Sequence, residues 1–384
     1  MAISLYSATD LYDWITNRED VVFLDVRNAA DFDRFHLESP YPLEMYNISY
    51  FDFMEIEAEC IAKLPKGRKI RVICAKEGSA KFVAEILEKN GFDNVGYLAG
   101  GIKSWGNLLV PVPLNPGDDF SLYQFIRPGK ASCSYGLMYR NELMLFDPSR
   151  NISFYLDFAR SNNCNLIKTF ETHLQADYIA GSRLLAAATG AEFLANSGDF
   201  AHSRITYTPL QDGEIRQFSS GGPKIRVFFT PGHTPGSTGY IIDNRFIISG
   251  DTIFIHSIGR PDLGGKVDEW SDALFHTLEK IRELDDNLIV LPGHYMSWDE
   301  ADDRLAFAAT LAQTKEYNRH IHAIDNTGDF LNFIKANMRK QPDEYAAIRR
   351  INAHLEEVTD EKAEELDLGK NECAATSYAA AKAA

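Results

Sequence analysis

Three apolar runs in the middle of the chain, IRVFFTPGH (225–233), FIISGD (246–251) and NLIVLPGH (287–294), each end on a histidine or an aspartate, and an earlier run, NLIKTFETH (165–173), does the same. Strands that are apolar along their whole length belong to sheets covered on both faces. Polar residues gathered where such strands open into loops are how sheet proteins assemble sites. The recurrence therefore demands a layered sheet structure with a histidine- and aspartate-bearing edge, and it excludes an all-helical or disordered chain.

A chain of 384 residues exceeds one ordinary core and calls for at least two domains. From residue 21, VVFLDVR, KIRVIC and NVGYLAGG alternate with amphipathic stretches such as SAKFVAEILEKNGF. Short apolar strands between helices predict a small α/β domain with a parallel sheet flanked by helices over 1–112. Three prolines and a glycine in PVPLNPGDD predict a linker over 113–119. The strand-rich part is expected over 120–300, and 301–384 is expected to be a helical extension that packs on it or makes a subunit contact. Its last residues, SYAAAKAA, are expected to fray.

The net charge of −16 leaves no basic stripe for nucleic acid. No run reaches the ~20 apolar residues of a membrane helix, and MAISLYSATDLYDW lacks the basic and apolar regions of a secretion signal. A cytoplasmic protein without nucleic-acid or membrane partners is expected. Five scattered cysteines, odd in number, read as reduced thiols; Cys373, in a polar stretch near the end, is expected to be an exposed, incidental thiol.

Cys74 follows the strand IRVI and precedes AKEGSA and a helix. A sulfur in such a loop would face backbone N–H groups and a helix dipole that stabilise a thiolate. Lys76, Glu77, Gly78 and Ser79 are expected to form the curl of that loop, Gly78 supplying unusual φ. A strand-end cysteine taken alone is more often a small buried hydrophobe. LDVR (24–27), FHLESP (35–40), CAKEGSA (74–80) and YLAGGIKSW (97–105), in that order and spacing, resemble the rhodanese family. The resemblance implies that Cys74 carries sulfane sulfur and passes it to a thiol or cyanide, with Asp25 and Arg27 structural. Glu77 departs from the family's usual neutral or basic residue and disfavours a dianionic donor, which Lys76 offsets.

His173, Gln175, Asp177 and Tyr178 share one loop, and His233, Asp251 and His294 arrive from later strands. The set resembles the metallo-β-lactamase superfamily, implying an αββα fold with the C-terminal helices appended. The family's first motif, HxHxDH, here reads HLQADY: Gln175 and Tyr178 stand where two ligands usually stand. Amide and phenol oxygens replace imidazole poorly on a transition metal, so neither site of a two-zinc hydrolase is complete. His173, His233 and Asp251 remain, two imidazoles and a carboxylate. Such a triad suits mononuclear Fe(II), with positions open to a substrate sulfur and O₂. FDPSRN, ETHLQADYIAGSRLLAAATGAEF and SGDTIFIHSIGRPDL likewise resemble the persulfide dioxygenase branch.

That resemblance implies one Fe(II) per chain, with zinc the alternative, and oxidation of a low-molecular-weight persulfide such as glutathione persulfide by O₂ to sulfite. Gln175, Asp177, Tyr178 and His294 would orient ligands or substrate. Arg260 is a candidate for an acidic thiol, against a structural salt bridge. A homo-oligomer is expected. Two other readings stay open: a zinc-dependent thioester hydrolase like glyoxalase II, and a metal-free scaffold supporting a rhodanese domain.

Overall fold

The computed structural model describes residues 3–376. These fall into two compact units, one of residues 3–108 with the short pieces 127–130 and 368–370, the other comprising the remaining described residues. The SYAAAKAA tail lies outside the described residues.

In the first unit, β1 (Ser4–Tyr6), β2 (Val21–Asp25), β3 (Glu44–Asn47), β4 (Lys69–Ile73) and β5 (Val95–Leu98) form a sheet in the order β1-β5-β4-β2-β3. Every pairing is parallel. All five residues of β2 and four of β4 are buried, as a parallel sheet covered on both faces requires. The helix Glu77–Lys89 lays Ala80, Val83, Ala84 and Leu87 into the same core, the spacing of a one-faced helix.

The second unit has two sheets. β6 (Val110–Pro113), β7 (Ser121–Arg127), β8 (Ser132–Tyr139), β9 (Glu142–Phe146), β10 (Asn165–Phe170), β11 (Glu192–Ala195) and β12 (Thr208–Pro209) lie in reverse sequence order. β13 (Ile215–Phe218), β14 (Gly221–Phe229), β15 (Thr238–Ile242), β16 (Phe246–Gly250), β17 (Ile289–Pro292) and β18 (Ala309–Thr310) follow in sequence order. Phe146 and Phe170 of the first sheet meet Tyr240 of the second, each with ring centroids 5.2 Å from it. The helix Ile152–Ser161 packs Tyr155 and Ala159 outside the first sheet. The helix Val267–Arg282 packs Leu274, Phe275 and Leu278 outside the second. The architecture is αββα.

The expected linker, 113–119, overlaps a strand at Pro113 alone. β6 pairs antiparallel with β7 from Val110 to Pro113, because its prolines sit on a sheet edge, where a missing N–H costs no ladder bond. Residues 114–120 close the turn around Asn115, whose side chain bonds the backbone of Phe120 and Leu122. The C-terminal helices pack on this unit: Ile321, Phe330 and Ile334 join the core under the second sheet, and Ile348, Ile351 and Ala363 cover Ile179. Residues 371–376 then run back along the 257–260 segment, with Ala374 bridged to Gly259 and the Ala375 N–H donating to the Ile258 carbonyl at 2.7 Å.

Candidate metal centre and cysteine loop

The strands converge their last residues as the sequence expects. β10 leads into His173, β14 into His233, β16 into Asp251 and β17 into His294, all at most 2% exposed. Nε2 of His173 and Nε2 of His233 lie 3.7 and 3.6 Å from Asp251 Oδ2. None of these three atoms has a hydrogen-bond partner. Buried polar atoms left unpaired are costly, and two imidazole nitrogens facing a carboxylate oxygen form a donor set for a divalent transition metal. The residues fit the metal.

The opposite ring nitrogens are held. His233 Nδ1 donates to the Arg260 carbonyl at 2.9 Å. Thr172 Oγ1 donates to Asp147 Oδ2 at 2.8 Å and so accepts from His173 Nδ1 at 2.9 Å. Both contacts leave Nε2 with its lone pair toward the centre. Asp147 and Thr172 were not singled out from the sequence; Asp147 lies within FDPSRN, but nothing local ties it to His173. Gly259 carries the close approach of two site loops, since a Cβ there would collide with the Asp251 carbonyl and press on the His233 ring. Thr172→Val should retain the fold and weaken metal binding about 10–100-fold, measurable by chelator competition; unchanged affinity would remove Thr172 from the account.

His294 Nδ1 lies 2.7 Å from Asp251 Oδ1, and Nε2 2.8 Å from Asp177 Oδ2. Burial pushes this imidazole down, but the two carboxylates prevail and raise it to about 10. Burial also opposes the charge of Asp251, yet His294 and the other two histidines hold its carboxyl below the usual range. Burial pushes His173 down to about 3. In metal-free protein His173, against an ordinary 6.5, contributes stability fully above pH 6.5 and loses it as pH falls toward 3. His294 contributes fully below pH 6.5 and loses it as pH rises toward 10. Chelator-treated protein should therefore show its highest thermal midpoint near pH 6.5; a midpoint rising steadily from about pH 5 to 8 would contradict the His294 assignment.

The remaining candidates take other places. Tyr178 donates its hydroxyl to the Asp147 carbonyl at 3.1 Å, with its ring centroid 6.1 Å from that of His294. The buried Gln175 lines a cavity of about 30 Å³ with Glu171, His173 and Ser182, room for about one water. Arg260 is 3% exposed. Its guanidinium is bidentate on Asp262 at 2.6 and 2.7 Å and also meets the Arg339 carbonyl. These partners occupy the fork, so Arg260 does not receive a substrate acid; it closes the structure around its own carbonyl. Cys373, expected at the surface, is fully buried. Its Sγ lies close to donor atoms of Asp177 and His294, the three within 4.8 Å of one another.

In the first unit Cys74 follows β4 and is 4% exposed. The loop is shorter than expected: the helix begins at Glu77, so Glu77, Gly78 and Ser79 lie in its first turn, and Gly78 has no positive φ. The periodic apolar residues from Ala80 onward recruit this stretch into the helix. Lys76 is its N-cap and makes no side-chain capping bond, leaving the first-turn N–H groups uncapped beside the cysteine loop. Glu77 is engaged by the Gly100 N–H at 2.6 Å. Gly101, at φ 63°, lets the neighbouring loop touch the Cys74 and Ala75 carbonyls, and the Ile102 N–H donates to Cys74 at 2.8 Å. Asp25 and Arg27 pair at 3.0 Å while Arg27 also holds the Phe35 carbonyl, a structural role.

Comparison with known proteins agrees with both halves. Residues 7–108 match the rhodanese-like domain family and residues 128–294 the metallo-β-lactamase superfamily. A hydroxyacylglutathione hydrolase of Anaeromyxobacter dehalogenans is 32% identical over 185 residues, 48% of this chain and 68% of that protein. Another from Acidiphilium cryptum is 32% identical over 152 residues, and the chain spans 59% of its length. Among solved structures, a metallo-β-lactamase from Staphylococcus aureus superposes with a TM-score of 0.54 at 25% identity, covering 62% of this chain and 73% of that one. ETHE1 from Myxococcus xanthus does so with 0.50 at 22%, covering 61% and 98%. The chain belongs to the metallo-β-lactamase superfamily and carries a rhodanese-like domain ahead of its metal-site domain.

Proposed function

We propose that the chain oxidises a low-molecular-weight persulfide, such as glutathione persulfide, to sulfite at a mononuclear Fe(II) centre, and that Cys74 exchanges sulfane sulfur with the same thiol pool. The observation that carries this reading is the donor set: His173 Nε2, His233 Nε2 and Asp251 Oδ2 converge without partners, while the Tyr178 hydroxyl is spent on a backbone carbonyl. Fe(II) held there would supply the redox chemistry that joins O₂ to sulfur. The protein's part is to orient and enclose. Thr172 and the Arg260 carbonyl fix the imidazoles, and His294 balances the charge of Asp251 and Asp177.

At the rhodanese-like domain, the helix N-terminus at Glu77, which has no side-chain cap, would favour anionic sulfur carried on Cys74. A cavity of about 140 Å³ beside Ala75 is lined by Arg34 and Lys103, with Asp31 and the Asp25-paired Arg27 also on its wall, and could admit a small sulfur donor. Tethering the two activities raises the effective concentration of their shared sulfur pool.

Zinc-dependent thioester hydrolysis is the second reading, favoured by the 32% identity to hydroxyacylglutathione hydrolases. It requires water activated by zinc, and Gln175 in place of an imidazole weakens the first zinc position. Metal analysis of the purified chain separates the readings. Iron near one per chain supports the dioxygenase; two zincs without iron support the hydrolase, and no metal would leave only the scaffold.

A further inference from the structure

The cavity beside Ala75 in the first unit has three walls. One is the helix Ala29–Arg34 with Phe35, held where Arg27 donates to the carbonyls of Phe35 at 2.6 Å and Asp31 at 3.3 Å. Another is Ala75 with Ile102 and Lys103, fixed by the bond from the Ile102 N–H to the Cys74 carbonyl at 2.8 Å. The third comes from far along the chain. Leu368 and Gly369 line the cavity as part of the first unit, yet they lie outside residues 7–108, the stretch that matches the rhodanese-like family.

That third wall is held in place. Leu368 lies over Gly106, where an added Cβ would come 3.2 Å from Leu368 Cδ2. Gly369 turns the chain at φ 96°, with nothing within 4 Å of a Cβ built there, so the backbone conformation and not the space calls for glycine. Lys370 Nζ then meets both carboxylate oxygens of Glu38, at 2.9 and 3.1 Å. The pair is partly exposed and fixes position more than it adds stability.

The lining is divided by chemistry. Phe35, Ile102 and Leu368 present carbon, while Arg34 and Lys103 outnumber Asp31 by one charge, Arg27 being spent on Asp25. An inorganic dianion such as thiosulfate would leave the three apolar side chains wet. A monoanion with a hydrocarbon body uses both parts of the lining. We infer that this pocket selects an organic sulfane donor, such as a thiosulfonate, over inorganic thiosulfate, and that Leu368 is the specificity-determining residue this chain adds to the rhodanese-like domain, a reading that rests on Cys74 as the sulfur carrier. In the transfer the Cys74 thiolate attacks the donor's outer sulfur and forms an S–S bond to it. The bond from that sulfur to the sulfonyl sulfur breaks, the sulfinate leaves with the electron pair, and the cysteine persulfide keeps one negative charge. Leu368 enters no bond; it covers the donor's carbon.

Sulfur transfer to cyanide by the full-length protein tests it, with thiosulfate, methanethiosulfonate and benzenethiosulfonate as donors. The two thiosulfonates share charge and reacting group and differ in apolar body. Dividing each kcat/KM by the donor's rate constant with free cysteine removes the difference in leaving group. On that scale the wild-type chain should rank thiosulfate lowest and favour the benzene donor over the methane donor at least about tenfold. Leu368→Ala should lower that preference about tenfold, and the volume-conserving Leu368→Met should keep it. A merely structural leucine would slow both thiosulfonates alike in Leu368→Ala, and an intact preference there would overturn the inference. So would equal values for the two thiosulfonates, or thiosulfate ranking first, in the wild-type chain, and these decide even if the variant misfolds. No transfer from any donor would overturn the Cys74 reading itself, and this one with it.

Discussion

Alanine at His173, His233 or Asp251 is expected to leave a folded protein whose iron content drops from about one per chain to near zero. Each substitution removes one donor of three, and the two left cannot hold a labile divalent ion against buffer and chelator. The loss of affinity should exceed the ~10–100-fold typical of outer contacts. The fold should survive, because the three converging atoms carry no structural hydrogen bond and each histidine variant gives up one other bond, from Nδ1 to Thr172 or to the Arg260 carbonyl. Asp251→Ala is the harsher change. It also unpairs His294 Nδ1, leaving that imidazole with Asp177 alone, and its thermal midpoint should fall further than that of either histidine variant. Equal iron in His173→Ala and wild type, by elemental analysis, would contradict the ligand assignment.

Cys74→Ser is expected to bring sulfur transfer to the uncatalysed rate, a loss on the order of 10³-fold or more, while leaving metal content and oxygen uptake from added persulfide unchanged. Serine keeps the shape but cannot form a persulfide. Cys74 lies in a core beside Val72, Ala80 and Val83, where an unpartnered serine hydroxyl costs about 1–3 kcal/mol, so the thermal midpoint is measured beside the transfer rate. Sulfur transfer from thiosulfate or a persulfide to a thiol acceptor measures the effect. Transfer retained in the variant would move the carrier role to another thiol.

What the sequence made legible follows from how locally each feature is encoded. The strand ends bearing His173, His233, Asp251 and His294 are announced by their own apolar runs, because a buried strand writes its burial in consecutive residues. The loop at Cys74 is less legible at Gly78, where the helical spacing of Ala80, Val83, Ala84 and Leu87 outweighs a glycine's preference for turns. The first residue of the expected linker, Pro113, ends the edge strand β6, where a proline costs no ladder bond. For Arg260 the structural salt bridge is the alternative that holds, with Asp262, two residues on, occupying its guanidinium.

Cys373 was the least legible. Its neighbours KNE and AATS read as surface. Its burial depends on backbone pairing with Ile258–Arg260 and on Tyr345 and Arg339, all distant along the chain. The Asp147–Thr172–His173 relay was hidden in the same way, because parallel pairing of β9 with β10 is what brings Asp147 beside Thr172. Contacts made through tertiary pairing leave no period in the sequence.

The most direct measurement of the central claim is oxygen consumption by the iron-loaded protein supplied with glutathione persulfide, with sulfite assayed in the same sample. The account predicts one O₂ consumed for each sulfite formed, abolished in His173→Ala and unaffected by Cys74→Ser. No oxygen uptake by protein that holds iron near one per chain would contradict it.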